Sequence, residues 1–400
     1  FEPPAAERSE AAGGVLTLKG SYKLDRDLSV EPGFRYAATA DGVASVQFVR
    51  ATQVDEANKT FSLDIPDTGQ PCFFQAVVRM STDFYDGEVS EVIRPKDLSA
   101  TGVANCYIVT EGGWYSIEPK RPDGTAVQGS AADWVWSSGS GLVSGVHFSA
   151  GRIVFQTSGN AGNAGIALTN DAGEIVWSWH IWVTDREVTL RAANGYEWMD
   201  RNLGALNNTP GDVANRGLFY QWGRKDPFLP SSAPYTIGNV TEANVENHQV
   251  GDGTAEWAYT GVRQQLLTEA PGNIENAVRH PTQFLKTYYQ YSGSSWYVTP
   301  TNDALKKADL WGGNKMSSGY KTIFDPCPLG YMVPPDGAFA TAAGDMSTGV
   351  NVDTQWGPFE GTGRAWIGGT GDFFPFVGIL TINTPLTNCG HIGVYWTASA

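Results

Sequence analysis

Short apolar runs separated by turn residues fill the first quarter of the chain. Residues 15–18, 33–37, 46–49, 60–65, 72–80 and 87–93 each have the length of a strand. In 60–65 the alternation is clean: Phe61, Leu63 and Ile65 are apolar, Thr60, Ser62 and Asp64 are polar, and Pro66-Asp67-Thr68-Gly69 follows as a turn signal. Successive strand side chains point to opposite faces, so such a run buries one face and wets the other. Runs at this spacing predict a small antiparallel β-sandwich over residues 15–97. Residues 1–14, which open Phe1-Glu2-Pro3-Pro4, carry no apolar period and read as a flexible polar leader. Residues 94–102, with Pro95, Gly102 and several charges, read as a linker.

A second β-sandwich is expected over residues 103–185. Residues 105–109 and 114–117 flank Glu111-Gly112-Gly113, a pattern that predicts a hairpin. Residues 134–136, 146–148, 152–155 and 165–169 add strands. In the last run, 175–183, Trp177, Trp179 and Ile181 share one face, while Val176, Ser178, His180 and Trp182 share the other. Both faces are largely apolar, so this strand is central or its outer face meets the next domain. From residue 186 the pattern changes. Residues 189–192 and 196–199 flank Asn194-Gly195, a strong hairpin signal. Residues 254–269 place Trp257, Val262, Leu266 and Leu267 at helical spacing and stop before Pro271, and 302–311 is a second short helix candidate. Long Gly-, Asn- and aromatic-rich stretches lie between them. Residues 186–400 therefore predict an α+β module with large loops, the kind of segment that carries function.

Composition narrows the functional classes. The chain has 27 Lys+Arg against 42 Asp+Glu, a net charge of −15. That balance argues against a nucleic-acid partner, which needs a clustered positive face, and against docking on an anionic membrane surface. No run approaches the roughly 18 apolar residues of a membrane-spanning helix; the longest candidate, 373–382, contains Pro375 and Gly378. The N-terminus has neither a basic nor an apolar signal region and reads as what is left once a targeting segment has been removed. Cys72, Cys106, Cys327 and Cys389 are far apart and form no CxxC, which argues against a zinc ribbon and leaves three disulfide pairings open.

Several strings are longer than chance allows. They are "ANCYIV" (104–109), "IVWSWHIWVTD" (175–185), "EWMDRNLGA" (197–205), "GLFYQWGRKDPF" (217–228), "KTIFDPCPLGYMVPPDG" (321–337), "FFPFVG" (373–378) and "GVYWTASA" (393–400). Together they resemble the cell-surface and fimbria-associated adhesins of Bacteroidetes, over roughly residues 104–400. Their C-terminal module is similar to the Fibrobacter succinogenes major paralogous domain, which is related to the C-type-lectin-like and sulfatase-modifying-factor folds. Residues 72–93 separately resemble the last two strands of a fibronectin type III-like module. The resemblance implies two immunoglobulin- or fibronectin-like sandwiches followed by an α+β C-type-lectin-like module over 186–400. In such relatives the chain continues past "YWTAS" to a late cysteine that would pair with the Cys of "DPCP"; Cys327 lacks that partner here, and Cys389 is the other cysteine of the module.

Catalytic constellations are missing from the sequence. The five histidines, His147, His180, His248, His280 and His391, form no HExxH or other metal-ligand spacing. GxSxG, the phosphate loops and the EF-hand loop do not occur. The Gly-rich stretches 361–364 and 368–372 read as turns, without the strand–helix setting of a phosphate cradle. The EPN-, QPD- and WND-like strings of calcium-dependent sugar-binding lectins are also missing, so no cofactor is assigned, and a structural Ca²⁺ on an acidic loop is left open. Asp200 to Gly204 and Asp325-Pro326-Cys327-Pro328 read as architectural, and His180 as a packing residue. Aromatic rings stack on the apolar faces of sugars while carboxylates and amides bind the hydroxyls. On that basis the candidate ligand-binding residues are Trp222, Asp226, Trp296, Tyr297, Trp356, Trp366 and Asp372, whereas Trp198, Trp311 and Trp396 fit strand or core patterns.

These readings predict a secreted, surface-attached, non-catalytic adhesin that contacts a glycan or host surface protein through its C-terminal module. The alternatives are a structural pilus subunit, at the tip or as a minor component, with other pilus subunits as partners, and a glycan-active hydrolase.

Overall fold

The computed structural model describes residues 2–12, 14–24, 29–68, 70–185, 187–193, 195–228, 236–237, 270–282, 310–312, 320–335, 338, 363–365, 372–375, 395 and 398. The chain is mostly β-sheet and divides into two compact units, Phe1–Lys96 and Asp97–Ala400.

The first unit holds β1 (Glu2–Ala12), β2 (Val15–Lys23), β3 (Glu31–Ala37), β4 (Val49–Arg50), β5 (Gln53–Asp55), β6 (Thr60–Pro66), β7 (Phe73–Met80) and β8 (Asp83–Glu91). They form two four-stranded antiparallel sheets, in the orders β1-β2-β6-β5 and β4-β3-β7-β8. The period-2 pattern does what it predicts. Leu16 and Leu18, Phe61 and Leu63, and Phe74, Ala76 and Val78 come from alternate positions and share one core with Phe34. Phe34 and Phe61 pack at 4.9 Å between ring centroids. Of the run expected at 46–49, only Val49 enters a strand, because residues Val43–Ser45 make a single 3₁₀ turn just before it.

The N-terminal segment is a correction. Residues 2–12 form strand β1 rather than a flexible leader, and β1 pairs along β2. Its end also bonds to the chain that follows β8: Ile93 N–H donates to Ser9 O at 2.8 Å and Ala11 N–H to Ile93 O at 3.0 Å. Where the β1–β2 register slips between Glu7 and Glu10, Lys19 N–H donates to Ser9 Oγ at 2.8 Å, so the slip leaves no orphaned donor there. Gly87 accommodates the strand, since a Cβ there would sit 1.9 Å from Pro4 O. Backbone pairing holds β1, and its small residues give no apolar signal.

At the division lies β9 (Lys96–Asp97), and the second unit continues with β10 (Cys106–Val109), β11 (Gly113–Ile117), β12 (Ala131–Ser137), β13 (Val143–Ser149), β14 (Arg152–Thr157), β15 (Gly162–Thr169) and β16 (Ile175–Val183). One sheet runs β13-β14-β11-β9; the other runs β10-β16-β15-β12 and ends on β21 (Thr236–Ile237). Residues 105–109 and 114–117 are not the expected hairpin. β10 pairs parallel to β16 in one sheet, and β11 pairs with β14 in the other. Glu111 to Gly113 therefore form an arch between sheets: Tyr115 Oη–H and Thr157 Oγ1–H both donate to Glu111 O, at 2.9 and 3.1 Å. Strand β16 has neighbours on both sides and is buried on both faces, as its composition predicts. Trp177, Trp179 and Ile181 enter the inter-sheet core with Ile117, Phe155, Ile166 and Leu168.

The remaining elements are short: β17 (Leu190–Ala193), β18 (Tyr196–Met199), β19 (Phe219–Tyr220), β20 (Pro227–Phe228), α1 (Ala270–Arg279), β22 (Gly363–Ala365) and β23 (Phe373–Pro375). The Asn194-Gly195 hairpin forms as expected, with Ala193 opposite Tyr196 and Gly195 at φ +76°. Helix α1 includes Pro271 in its first turn, where a missing N–H costs nothing. Pro271 was expected only as the stop after a helix over 254–269; that segment, and nearly all of 302–311, lie outside the described residues. The compact second unit crosses the boundary expected at 185/186.

Candidate functional site

The strings that make the sequence distinctive converge on a buried polar seam beneath the outer face of β16. Asn105 Nδ2 donates to Ile323 O at 2.7 Å and to Asp325 O at 2.8 Å, and Asn105 Oδ1 accepts from Trp177 Nε1–H at 3.0 Å. Asp325 is fully buried. Its Oδ1 accepts from Cys327 N–H and Lys321 Nζ, both at 2.8 Å, and its Oδ2 from Val333 N–H at 3.0 Å. Lys321 Nζ also donates to Cys327 O and Tyr331 O, each at 2.8 Å. The "DPCP" turn is thus rigid and clamped to the sheet.

The "DRNLGA" string docks beside it. Arg201 is sealed from solvent and reaches Asp200 Oδ1 (2.9 Å), Thr184 Oγ1 (2.7 Å) and Asp185 Oδ1. Gly204 O accepts from Asn163 Nδ2 and Ala205 O from Trp182 Nε1–H, both at 2.9 Å. His180 lies against Asn163, with Nε2 and Oδ1 2.9 Å apart, and stacks on Trp136. Burial pushes His180 down to about 3 from 6.5, so it stays neutral and packs, as the sequence suggests.

Two sequence-predicted site residues lie at this seam; Asp226 is corrected here, and Trp222 is half-buried. Asp226 is buried: its Oδ1 accepts from Lys225 Nζ at 2.7 Å and from Ser178 Oγ–H at 2.6 Å. Lys225 Nζ also donates to Ser178 O at 3.0 Å and lies 4.7 Å from the Trp177 ring centre. Burial lowers the Lys225 ammonium's pKa, and the Asp226 carboxylate opposes that shift. Trp222 packs against Trp311, 6.0 Å between centroids, in a cluster with Leu310, Ile274 and Ala277. Arg224 Nη2 donates to Ala277 O (3.3 Å), His280 O (3.0 Å) and Pro281 O (3.4 Å), closing the C-terminus of α1. Arg224, Lys225 and Asp226, between the paired strands β19 and β20, are all buried.

On the far side of "DRNL" a cavity of about 360 Å³ opens. Its walls include Tyr196, Glu197 and Trp198 of β18, Tyr331 after the "DPCP" turn, and Asp372, Phe374 and Tyr395. Tyr196 and Trp198 are two apart on one strand face, and their rings meet edge-on at 6.3 Å. Phe374 and Tyr395 form a second edge-on pair at 5.1 Å, and Tyr395 Oη–H donates to Pro375 O at 2.6 Å. Tyr196, Trp198 and Tyr331 are half-buried, so each has a face to offer. Burial pushes the Tyr331 phenol up, and the negative charges of Asp200 and Glu197 add to the shift, so its hydroxyl remains a hydrogen-bond donor. Asp372 lies 3.8 Å from Arg191 Nε, so one predicted candidate does reach the cavity. Trp296, Tyr297, Trp356 and Trp366 lie outside the described residues.

Tyr196, Glu197, Trp198 and Tyr331 were missed by sequence reasoning. The available signal was the Asn194-Gly195 turn, which fixes the register and sets Tyr196 and Trp198 on one face. Among the described residues, no three His, Cys, Asp or Glu side chains group closely enough to hold a metal ion, and no helix is long and apolar enough to cross a membrane. Compared with models of known protein families and with curated proteins, the chain matches none.

Proposed function

We propose that the chain is a secreted, cell-surface adhesin or binding protein that engages a glycan or a host surface protein without transforming it. One observation carries this reading: the 360 Å³ cavity combines the aromatic faces of Tyr196, Trp198 and Tyr331 with the carboxylates of Glu197 and Asp372. Aromatic faces suit the apolar side of a sugar ring, and carboxylates with a phenol suit its hydroxyls. The β1-β2-β6-β5 and β4-β3-β7-β8 orders support a fibronectin type III-like first unit. The small strands and the helix α1 found among the described residues beyond 186 are consistent with the lectin-like module that the sequence resemblance implies.

For the pilus-subunit alternative, a partner strand would add alongside β1, which is the outer strand of its sheet. For the hydrolase alternative, Asp200 is already committed to Arg201 and Asn208, at 2.9 and 3.3 Å. The test is a labelled full chain on arrays of glycans and of host extracellular proteins, with Trp198→Ala and Tyr331→Ala beside the parent. Binding to a defined set of spots that both variants lose supports the reading. Silence on both arrays, or binding that survives both substitutions, overturns it. Release of sugar from aryl glycosides, abolished by Glu197→Gln, would put the hydrolase in its place.

A further inference from the structure

The charge on the cavity wall is unbalanced. Its charged groups are the carboxylates of Glu197, Asp200 and Asp372 and the guanidinium of Arg201; no lysine or histidine lines it. Arg201 is already taken up, by Asp200 Oδ1 at 2.9 Å and by Asp185 Oδ1. Arg191, beside the wall, lies 3.8 Å from Asp372. Glu197 is exposed and, among the described residues, has no basic partner. The negative charges of Asp200 and Glu197 reach the Tyr331 phenol, so the aromatic part of the cavity lies in their field. An aromatic face carries the negative lobe of the ring quadrupole and attracts cations, and Tyr196, Trp198 and Tyr331 line the cavity half-buried. Met199, Leu203, Met332, Pro334 and Pro335 complete much of the wall. Their side chains donate no hydrogen bond, so they suit an aliphatic stem better than the several hydroxyls of a sugar, each of which costs free energy when buried unpaired. An apolar wall beside aromatic faces and an uncompensated carboxylate matches a side chain with an aliphatic stem and a cationic head.

We propose that the cavity takes up a cationic side chain, lysine or arginine, of a host surface protein, with the aliphatic stem on the apolar part of the wall and the charged head among the aromatic faces and Glu197. This rests on the binding role proposed for the cavity and narrows its two ligand classes to one. The acidic balance of the whole chain, −15, favours approach of a basic partner surface. The aromatic rings give the cation a face to lie on, and Glu197 gives it a countercharge. A neutral sugar would use the rings and leave that countercharge without a role.

The full chain is titrated, with saturation-transfer NMR and calorimetry as readouts, against a capped alanine–serine peptide with one central lysine, its arginine counterpart and the same peptide with the lysine acetylated. Chitosan and chitin tetramers present a sugar with and without an ammonium. The lysine and arginine peptides should bind at millimolar concentration, with saturation strongest at the side-chain methylenes. Acetylation of the lysine should weaken binding about tenfold. Glu197→Gln, a neutral substitution of the same shape at an exposed position, should cost a similar factor, and Trp198→Ala should cost at least as much; the tryptophan-detected urea midpoint reports whether each variant is folded. Equal affinity for the lysine and acetyl-lysine peptides, no saturation of the lysine peptide at millimolar concentration, or peptide binding that survives both substitutions would overturn the proposal. A tetramer preferred to the peptides and lost in Trp198→Ala would also overturn it, yet would leave the cavity as a binding site for a glycan, cationic if chitosan is preferred and neutral if chitin is. Silence of every probe together with silence on both arrays would remove the binding reading as well.

Discussion

Asp226→Ala removes the carboxylate that, among the described residues, pairs with the Lys225 ammonium within the β16 seam. The two side chains are 2% and 8% exposed and 2.7 Å apart. Without Asp226, the ammonium keeps only Ser178 O, Ser178 Oγ and the Trp177 ring. Breaking a buried pair from one side costs about 3–5 kcal/mol, because the surviving charge is left buried. All 14 tryptophans lie beyond residue 96, so tryptophan fluorescence reports the second unit alone. With a urea slope of about 3 kcal/mol/M for a unit of this size, the midpoint should fall by about 1–1.7 M. Replacing both partners, Lys225→Met with Asp226→Leu, should restore the midpoint to within about 0.5 M. A shift below about 0.3 M for Asp226→Ala would refute the reasoning, since it would mean the ammonium reaches water and the seam is not closed.

Further outcomes test other parts of the account. His180 is held near 3 when folded and returns to 6.5 when unfolded. Above 6.5 it contributes no pH dependence; as pH falls from 6.5 towards 3 the unfolded state takes up a proton that the folded state refuses, so stability drops by about 1.4 kcal/mol per unit. His180→Gln should flatten that part of the urea midpoint–pH curve, and an unchanged slope would contradict the burial. Gly204 has φ +82° and a Cβ there would meet Leu218 Cγ at 2.4 Å, so Gly204→Ala should cost about 1–3 kcal/mol by the same fluorescence assay. Deleting residues 1–12 bares the β2 edge, and size-exclusion chromatography should show self-association; a monomer would argue that β1 contributes little.

What the sequence reveals depends on whether a signal is local. The Asn194-Gly195 turn is local and forms in the expected register. The apolar faces of β16 predict its burial on both sides. The arch at Glu111 to Gly113 has the same local signature as a hairpin, and only distant partners, β16 and β14, decide that its strands part. Strand β1 is invisible because backbone bonds and small residues hold it. The site suffers most. Asp226 looks like a ligand-surface residue because charge usually sits outside, yet it is buried against Ser178 and Lys225, while Trp222 packs one side on Trp311 and stays half-buried. Trp198 looks like a core strand residue, yet it borders a cavity completed by Tyr331, more than 130 positions away.

The most direct measurement is hydroxyl-radical footprinting of the full chain, alone and bound to the glycan or protein that the arrays select. The account predicts protection at Tyr196, Trp198 and Tyr331, with Trp222 and Trp311 unchanged. Protection confined to residues of Phe1–Lys96, with the three cavity aromatics as reactive as before, would contradict it.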